Sequence, residues 1–200
     1  MSPIISARGG LSSRAYGQFT AAAAAGGGPS YESIATVTVG SGGSANAEFT
    51  SIPATYKHLQ IRALIRGTAS ASAISANMQF NSDTGSNYSY HELYGNGTTA
   101  QAGAGATQTR FFLHGNAPAA TALASSFGVA VMDILDYADT NKYKTARCLN
   151  GMDVNGSGGY ILFDSGSWQN TNAITSIQIT PSSGNFAQYS QFALYGIKGA

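Results

Sequence analysis

Two hundred residues with a formal net charge of +1 and only 10% charged side chains are enough for one ordinary domain with a sizeable core. They carry no long-range field to draw nucleic acid or an anionic membrane surface. The single cysteine, Cys148, excludes an internal disulfide, and no stretch approaches the ~20 apolar residues of a membrane helix.

The N-terminus lacks the charged-then-apolar order of a signal peptide, so the chain is expected to be made and folded in a cytoplasm. Gly, Ala, Ser, Thr and Asn crowd the sequence beside eleven Tyr and nine Phe, which gives a polar but weakly charged surface. Such a surface suits a subunit that spends its life assembled.

Residues 1–30 differ from everything after them: Arg8 and Arg14 are their only charged side chains, and an Ala run passes into a Gly run over 21–28. Five alanines are too few to nucleate a helix in water, and the glycines would end it. The segment is therefore expected to be an extended anchoring arm with a hinge, followed by a body over 31–200. Ile4, Ile5, Leu11, Tyr16 and Phe19, with Arg8 and Arg14, are its candidate anchoring residues. A merely solvating tail has little use for so many apolar groups.

Strand signals start at Tyr31. Residues 34–39 and 44–49 flank the turn Gly40-Ser-Gly-Gly and predict a hairpin. The clearest strand covers 56–66, where Leu59, Ile61, Ala63 and Ile65 alternate with Gln60, Arg62, Leu64 and Arg66. That period of two predicts one buried and one wet face. Residues 77–81 put Met78 and Phe80 on one face, and 88–93 follow. A long Gly/Ala/Thr loop is expected over 95–106, then a strand over 107–114 with Phe111 and Leu113 alternating against Arg110 and Phe112.

Residues 127–135 are apolar on both faces, which predicts a central strand covered on each side. Strands at 144–150, 159–163, 173–180 and 188–198 bring the set to about eleven, separated by Asp/Asn/Gly turns. The best helical stretch, 117–126, contains Pro118 and has poor periodicity, so a loop or single turn is expected. The pattern predicts an all-β fold, an antiparallel β-sandwich of the jelly-roll kind with an extended N-terminal arm. Binding is expected in its long loops.

Catalytic patterns fail class by class. There is no Gly-x-Ser-x-Gly elbow and no phosphate loop, and His91-Glu92 lacks the second histidine of a zinc-protease helix. His58, His91 and His114 stand in three separate strands and are expected to pack beside tyrosines. No cofactor is expected, and Cys148 is expected to be a small buried hydrophobe. Asp133, Asp136 and Asp139, with Asn141 and Asp153, gather where an apolar strand enters a turn. Their oxygens suit either turn capping or, around Asp136 and Asp139, a calcium ion. Turn capping is the expectation there and over 81–87. Tyr88, Tyr90, Tyr94 and Trp168 are candidate glycan contacts beside Asn and Asp residues, with packing between sheets as the alternative.

Four segments carry a resemblance: Ser51-Ile-Pro-Ala-Thr-Tyr-Lys-His-Leu-Gln-Ile-Arg, Met78-Gln-Phe-Asn-Ser-Asp-Thr-Gly-Ser-Asn-Tyr, Tyr94-Gly-Asn-Gly and Phe192-Ala-Leu-Tyr-Gly-Ile-Lys. They resemble a widespread group of tailed-bacteriophage virion structural proteins. The opening Ile5-Ser-Ala-Arg-Gly-Gly-Leu-Ser-Ser-Arg-Ala-Tyr-Gly is similar to the short segments by which phage fibre and tail-associated proteins attach to a virion. The resemblance spans residues 4–20 and 50–198 and offers no catalytic residues to carry over.

The resemblance implies a non-enzymatic, β-rich virion subunit, commonly a homotrimer, docked through its arm on other phage structural proteins of the tail, portal or adaptor, or capsid. A tail- or fibre-associated subunit that turns its loops outward, including towards a host surface glycan, is the favoured form, because the arm is short and hinged. The alternative is a capsid decoration or cement protein that clamps shell subunits. A tail-spike glycan hydrolase is the enzymatic alternative. It needs two carboxylates roughly 5–9.5 Å apart, with Asp133, Asp136, Asp153, Asp164 and Glu92 as candidates, none in a distinctive context. Neither nucleic acid nor membrane is an expected partner.

Overall fold

A computed structural model describes residues 30–155 and 158–199, except for the side chains of residues 114–116. The expected arm and its residues Ile4, Ile5, Arg8, Leu11, Arg14, Tyr16 and Phe19 lie outside the described residues. The chain divides into two units between Ser30 and Tyr31, and the second carries all of the strands among the described residues.

Twelve strands and no helix occur among the described residues. They are β1 (Tyr31–Thr38), β2 (Ala47–Phe49), β3 (His58–Ile65), β4 (Ala73–Phe80), β5 (Tyr88–Gly95), β6 (Ala100–Gln108), β7 (Phe111–Pro118), β8 (Gly128–Leu135), β9 (Lys144–Asp153), β10 (Gly159–Trp168), β11 (Ile177–Pro181) and β12 (Gln191–Ile197). Two antiparallel sheets pack face to face as a β-sandwich. The long sheet has eight strands in the order β1-β12-β3-β8-β9-β10-β5-β6, and the short one has four, β2-β11-β4-β7.

The alternation in β3 sets the inner face. Leu59, Ile61, Ala63 and Ile65 are buried in the interlayer, while Arg62 and Leu64 are exposed on the other side. Opposite them the short sheet supplies Phe49, Ile74, Met78, Phe80, Phe111, Leu113, Ile177 and Ile179, all within one core cluster. Each large apolar side chain so buried contributes about 1.5–3 kcal/mol. The layers approach closely at Gly166 of β10, where a Cβ would overlap the Phe111 ring and the Ser89 carbonyl oxygen. Only glycine fits that point.

Three expectations are corrected. The turn at 40–43 does not close a hairpin, because β1 pairs with β12 in the long sheet and β2 with β11 in the short one. The glycines there carry the chain from one layer to the other. The stretch 95–106 is not one long loop but the end of β5, a turn and most of β6. The Asn96 Oδ1 accepts the amides of Thr98 and Thr99 at 3.0 and 2.9 Å and closes that turn.

The glycines of β6 make room for cross-strand neighbours. A Cβ on Gly103 would meet Glu92 Oε1, and one on Gly105 would meet Tyr90 Cε1, each at 2.5 Å. Small residues in a strand look like a loop unless the large partner is known. Third, β8 is covered on one face only: Ala130, Met132 and Ile134 are buried, whereas Val129, Val131 and Leu135 are exposed.

The hairpins β5–β6 and β9–β10 both attach on the same side of β8 and extend the long sheet past β1, β12 and β3. The short sheet receives no such addition. The long sheet is therefore twice as wide as its partner.

Candidate functional site

The four candidate glycan residues are used structurally. Trp168 and Tyr88 are 1% and 0% exposed and sit in the core against Phe80, with ring centroids 5.6 Å (Phe80–Trp168) and 6.3 Å (Tyr88–Trp168) apart. This corrects their reading as sugar platforms: no ligand reaches their faces. Their polar atoms organise the turn over 81–87 instead. The Trp168 indole donates to Asp83 Oδ2 at 2.7 Å, Asn87 Nδ2 donates to the same oxygen at 2.9 Å, and the Gly85 amide donates to Asp83 Oδ1 at 2.8 Å. Burial works to raise the Asp83 pKa, but the hydrogen bonds from Asn87, Trp168 and Gly85 outweigh it and hold the carboxyl below its ordinary value. Tyr90 and Tyr94 are half-buried. The Tyr90 ring meets Phe112 edge-on at 5.5 Å, and the Tyr94 hydroxyl donates to Gln101.

The carboxylates of the acidic turn do not converge on an ion. Asp133 faces outward and pairs with Arg147 Nε at 3.2 Å, with a further hydrogen bond from Gln60 Nε2 at 2.8 Å. Asp136 is held by Lys142 at 2.6 Å and Lys57 at 2.9 Å, and its amide donates to His58 Nδ1 at 3.0 Å. The two lysine ammoniums lower its pKa to about 2. The buried Lys144 donates to the carbonyl oxygens of Asp139, Lys142 and Thr171 at 2.5, 2.8 and 3.0 Å. An ammonium thus gathers the backbone carbonyls of this turn, while the Asp136 and Asp139 carboxylates are paired with Lys142. Among the described residues no group of three or more His, Cys, Asp and Glu side chains could hold a metal.

The remaining chemistry is buried. Glu92 and Asp164 are register partners on β5 and β10. Asp164 is 0% exposed and accepts Asn150 Nδ2 at 2.5 Å, and burial raises its pKa to about 7. It lies where a polysaccharide cannot enter. Beside it Cys148 is fully buried, and burial pushes its thiol up to about 12, as an inert core cysteine requires. His58 and His91 lie on β3 and β5, too far apart in the sheet order to meet across neighbouring strands.

What the molecule does offer is the outer face of the long sheet. Strand register aligns Leu64, Val129, Gly151, Ile161 and Gly95 in one row across β3, β8, β9, β10 and β5. The next row holds Arg62, Val131, Leu149, Phe163 and Leu93, continued by Ala102 of β6. Ile161, Leu93 and Leu149 are 66%, 58% and 55% exposed, and the other large apolar members of both rows are exposed as well. Beyond them the third row turns polar, with Gln60, Asp133, Arg147, Ser165 and His91.

At Gly151 the apolar stripe is hollowed into a groove of about 900 Å³, walled by the turn residues Asn96–Thr98 and by Val129, Leu149 and Ile161. Sequence reasoning missed this surface. Its signal is present in β8, β9 and β10, where apolar residues occupy both parities of the strand, but the same signal also fits a strand buried on both faces.

No family model and no curated relative matches the chain. Among solved structures, a protein of unknown function from Shewanella oneidensis MR-1 has a TM-score of 0.23 and 8% identity, covering 85% of this chain and 77% of that one. Similarity at that level carries no argument.

Proposed function

We propose that this chain is a non-enzymatic structural subunit of a bacteriophage particle, tail- or fibre-associated, whose sandwich works by packing against other subunits. The observation that carries the reading is the apolar stripe on the outer face of the long sheet. A soluble monomer rarely leaves such a patch open, and here it runs from β3 and β8 onto the hairpins β5–β6 and β9–β10, which the short sheet does not need for closure.

The wrapping supports the reading. Without those hairpins, eight strands remain in the orders β1-β12-β3-β8 and β2-β11-β4-β7. We read this as a jelly roll, an architecture that viral shells share with lectins and small-molecule enzymes, so by itself it does not decide function. Of the phage-like segments, those opening at Ser51, Met78 and Phe192 lie mainly on the edges and centre of the core, whereas Tyr94-Gly-Asn-Gly ends β5 beside the groove of the stripe, so the resemblance speaks for the scaffold and for one wall of that groove. Because Tyr88 and Trp168 are core residues, direct glycan recognition is not part of this proposal.

The test is gold-labelled antibody imaging of intact particles, with the antibody raised against residues 29–200, together with mass spectrometry of the purified particles. Label on tails or fibres is the expected result. Label scattered over heads would make the chain a decoration protein, and its absence from particles by both methods would overturn the virion reading.

A further inference from the structure

The outer face of the long sheet has no partner within the described residues. We propose that a second copy of this chain covers it, the two long sheets stacking face to face through Val129, Val131, Leu149, Ile161, Phe163 and Leu93. The inference rests on the reading of this face as an assembly surface and names its occupant.

Four observations select a second copy over other partners. The first is area. These half-exposed side chains and Leu64 present on the order of 700 Å² of apolar surface, above the roughly 300–600 Å² of a typical monomer's largest patch. That is close to the ~800 Å² that each partner contributes to a stable standard interface. The second is shape. The most exposed side chain of the stripe, Ile161 at 66%, is the register neighbour of Gly151, the floor of the groove. A twofold axis between β9 and β10 brings the Ile161 of each copy over the Gly151 of the other, the reciprocal contact that an isologous interface demands. Two sheets stacked in this way stand about 10 Å apart, as in a sandwich core.

The third is charge. The stripe is bordered by Arg62 and Arg147 and by Asp133 and Asp153, two of each sign. Arg147 is already paired with Asp133, while Arg62 donates to Gln60 Oε1 at 2.8 Å and lies over the Tyr31 and Tyr195 rings at 5.7 and 5.3 Å. Of these charges Arg62 and Asp153, the latter at the end of β9, have no ion pair among the described residues, so a second identical face meets mostly apolar and already partnered groups. The fourth is what the balance rejects: a phosphate backbone or an anionic bilayer needs a net basic surface, and with Phe127 and Tyr160 half-buried in the groove wall, Phe163 is the one large aromatic exposed in the apolar rows, which leaves a glycan few faces to stack on.

The test is sedimentation of the full chain over a dilution series reaching roughly 100 µM, where an interface of this size is populated unless its Kd is far weaker than micromolar. Wild type is expected to be a dimer, or a higher assembly built on that pair, at the top of the series. Ile161→Lys and Leu149→Lys are each expected to weaken association by at least ~30-fold, the loss of one hot-spot residue. Glu48→Lys, on the opposite outer face, should leave it unchanged. Circular dichroism confirms that each variant is folded, and the milder Ile161→Ala serves if a lysine variant is not.

A wild-type chain that stays monomeric throughout, or one whose association ignores both stripe variants, overturns the proposal. If that monomer is still incorporated into particles and Ile161→Lys abolishes incorporation, the second copy is refuted while the assembly-surface reading stands. If incorporation is also indifferent to the variant, both fall.

Discussion

The two outer faces of the sandwich obey the same alternation and have opposite chemistry. On the short sheet the outward positions are Glu48, Gln178 and Gln79 in one register row, and Thr180, Asn77 and the half-buried Phe112 in the next, so among the described residues that face carries a single large apolar side chain, at its edge. On the long sheet the corresponding central rows are filled by Val, Leu, Ile and Phe. Folding asks only that one face of each strand be apolar, so the short sheet shows what an antiparallel layer needs when its far side meets water. The second apolar face of the long sheet is surplus to that need. It starts on β3 and β8 and runs across the hairpins that widen the sheet, so the extension carries Leu149, Ile161, Phe163 and Leu93, the larger part of the stripe.

The sharpest way to break this comparison is to move one position along β3. Ile61→Asp puts a charge into the interlayer without a partner and is expected to destabilise by at least ~4 kcal/mol, enough to abolish folding. Arg62→Asp, on the outer face, should leave a folded chain with a cooperative urea transition. Similar behaviour of the two would refute the assignment of inner and outer faces on which everything else depends.

The buried polar pair beneath the extension predicts an unusual pH profile. Asp164 is raised from 3.8 to about 7, so the folded state holds its proton more tightly than the unfolded chain. Stability therefore falls as pH rises from about 4 to about 7, by up to roughly 4 kcal/mol at 1.36 kcal/mol per unit. Asp136 acts in the opposite direction. Its pKa is lowered from 3.8 to about 2, so its contribution is present above pH 4 and is lost as the pH drops towards 2. Together they place maximum stability near pH 4. Asp164→Asn keeps the shape and the acceptor for Asn150 Nδ2, and should raise the urea midpoint at pH 8 while leaving it unchanged at pH 3. A wild-type midpoint that is flat between pH 4 and 8 would contradict the burial of an ionisable group there.

Smaller, and confined to the inner face, is the effect of Gly166→Ala. The added methyl must displace the Phe111 ring against a backbone carbonyl on its other side, which overpacking data put at about 1–3 kcal/mol. The same change on the outer face, Ser165→Ala one residue earlier, should shift the thermal midpoint by less than its measurement error.

Strand identity was legible wherever alternation joined large residues to polar ones, which is why β3 and β12 stand close to where they were expected, whereas the strand expected over 107–114 straddles the turn between β6 and β7. It failed at β6, whose Ala-Gly-Ala-Gly sequence has no amphipathic signal because its side-chain volume comes from Tyr90 and Glu92 on the neighbouring strand. Layer assignment failed at residues 40–43 for a related reason: Gly-rich turns serve hairpins and layer crossings alike, and only the distant partners β11 and β12 distinguish them. Tyr88 and Trp168 were misplaced because an exposed platform and a core aromatic share one strand signature. What separates them is Asp83, which satisfies the indole from a turn 85 residues away. The stripe was visible as residues but not as a surface, since five strands scattered over the chain must be set in register before their outward positions form a row.

The smallest predicted effect bears most directly on the difference between the faces. Exposed apolar side chains on the stripe bury little on folding, so Leu149→Thr and Ile161→Thr, which keep strand propensity, should change the stability of the isolated monomer by no more than ~0.5 kcal/mol. In the proposed dimer the same side chains are covered, and association would stabilise the native state by mass action. The urea midpoint of wild type should therefore climb with protein concentration, whereas that of the double variant stays level and meets the wild-type value at high dilution. Gln178→Thr on the short sheet should show neither behaviour. A double variant that remains less stable than wild type at every dilution would mean that the stripe serves the fold itself, and the two outer faces would then differ in sequence but not in role.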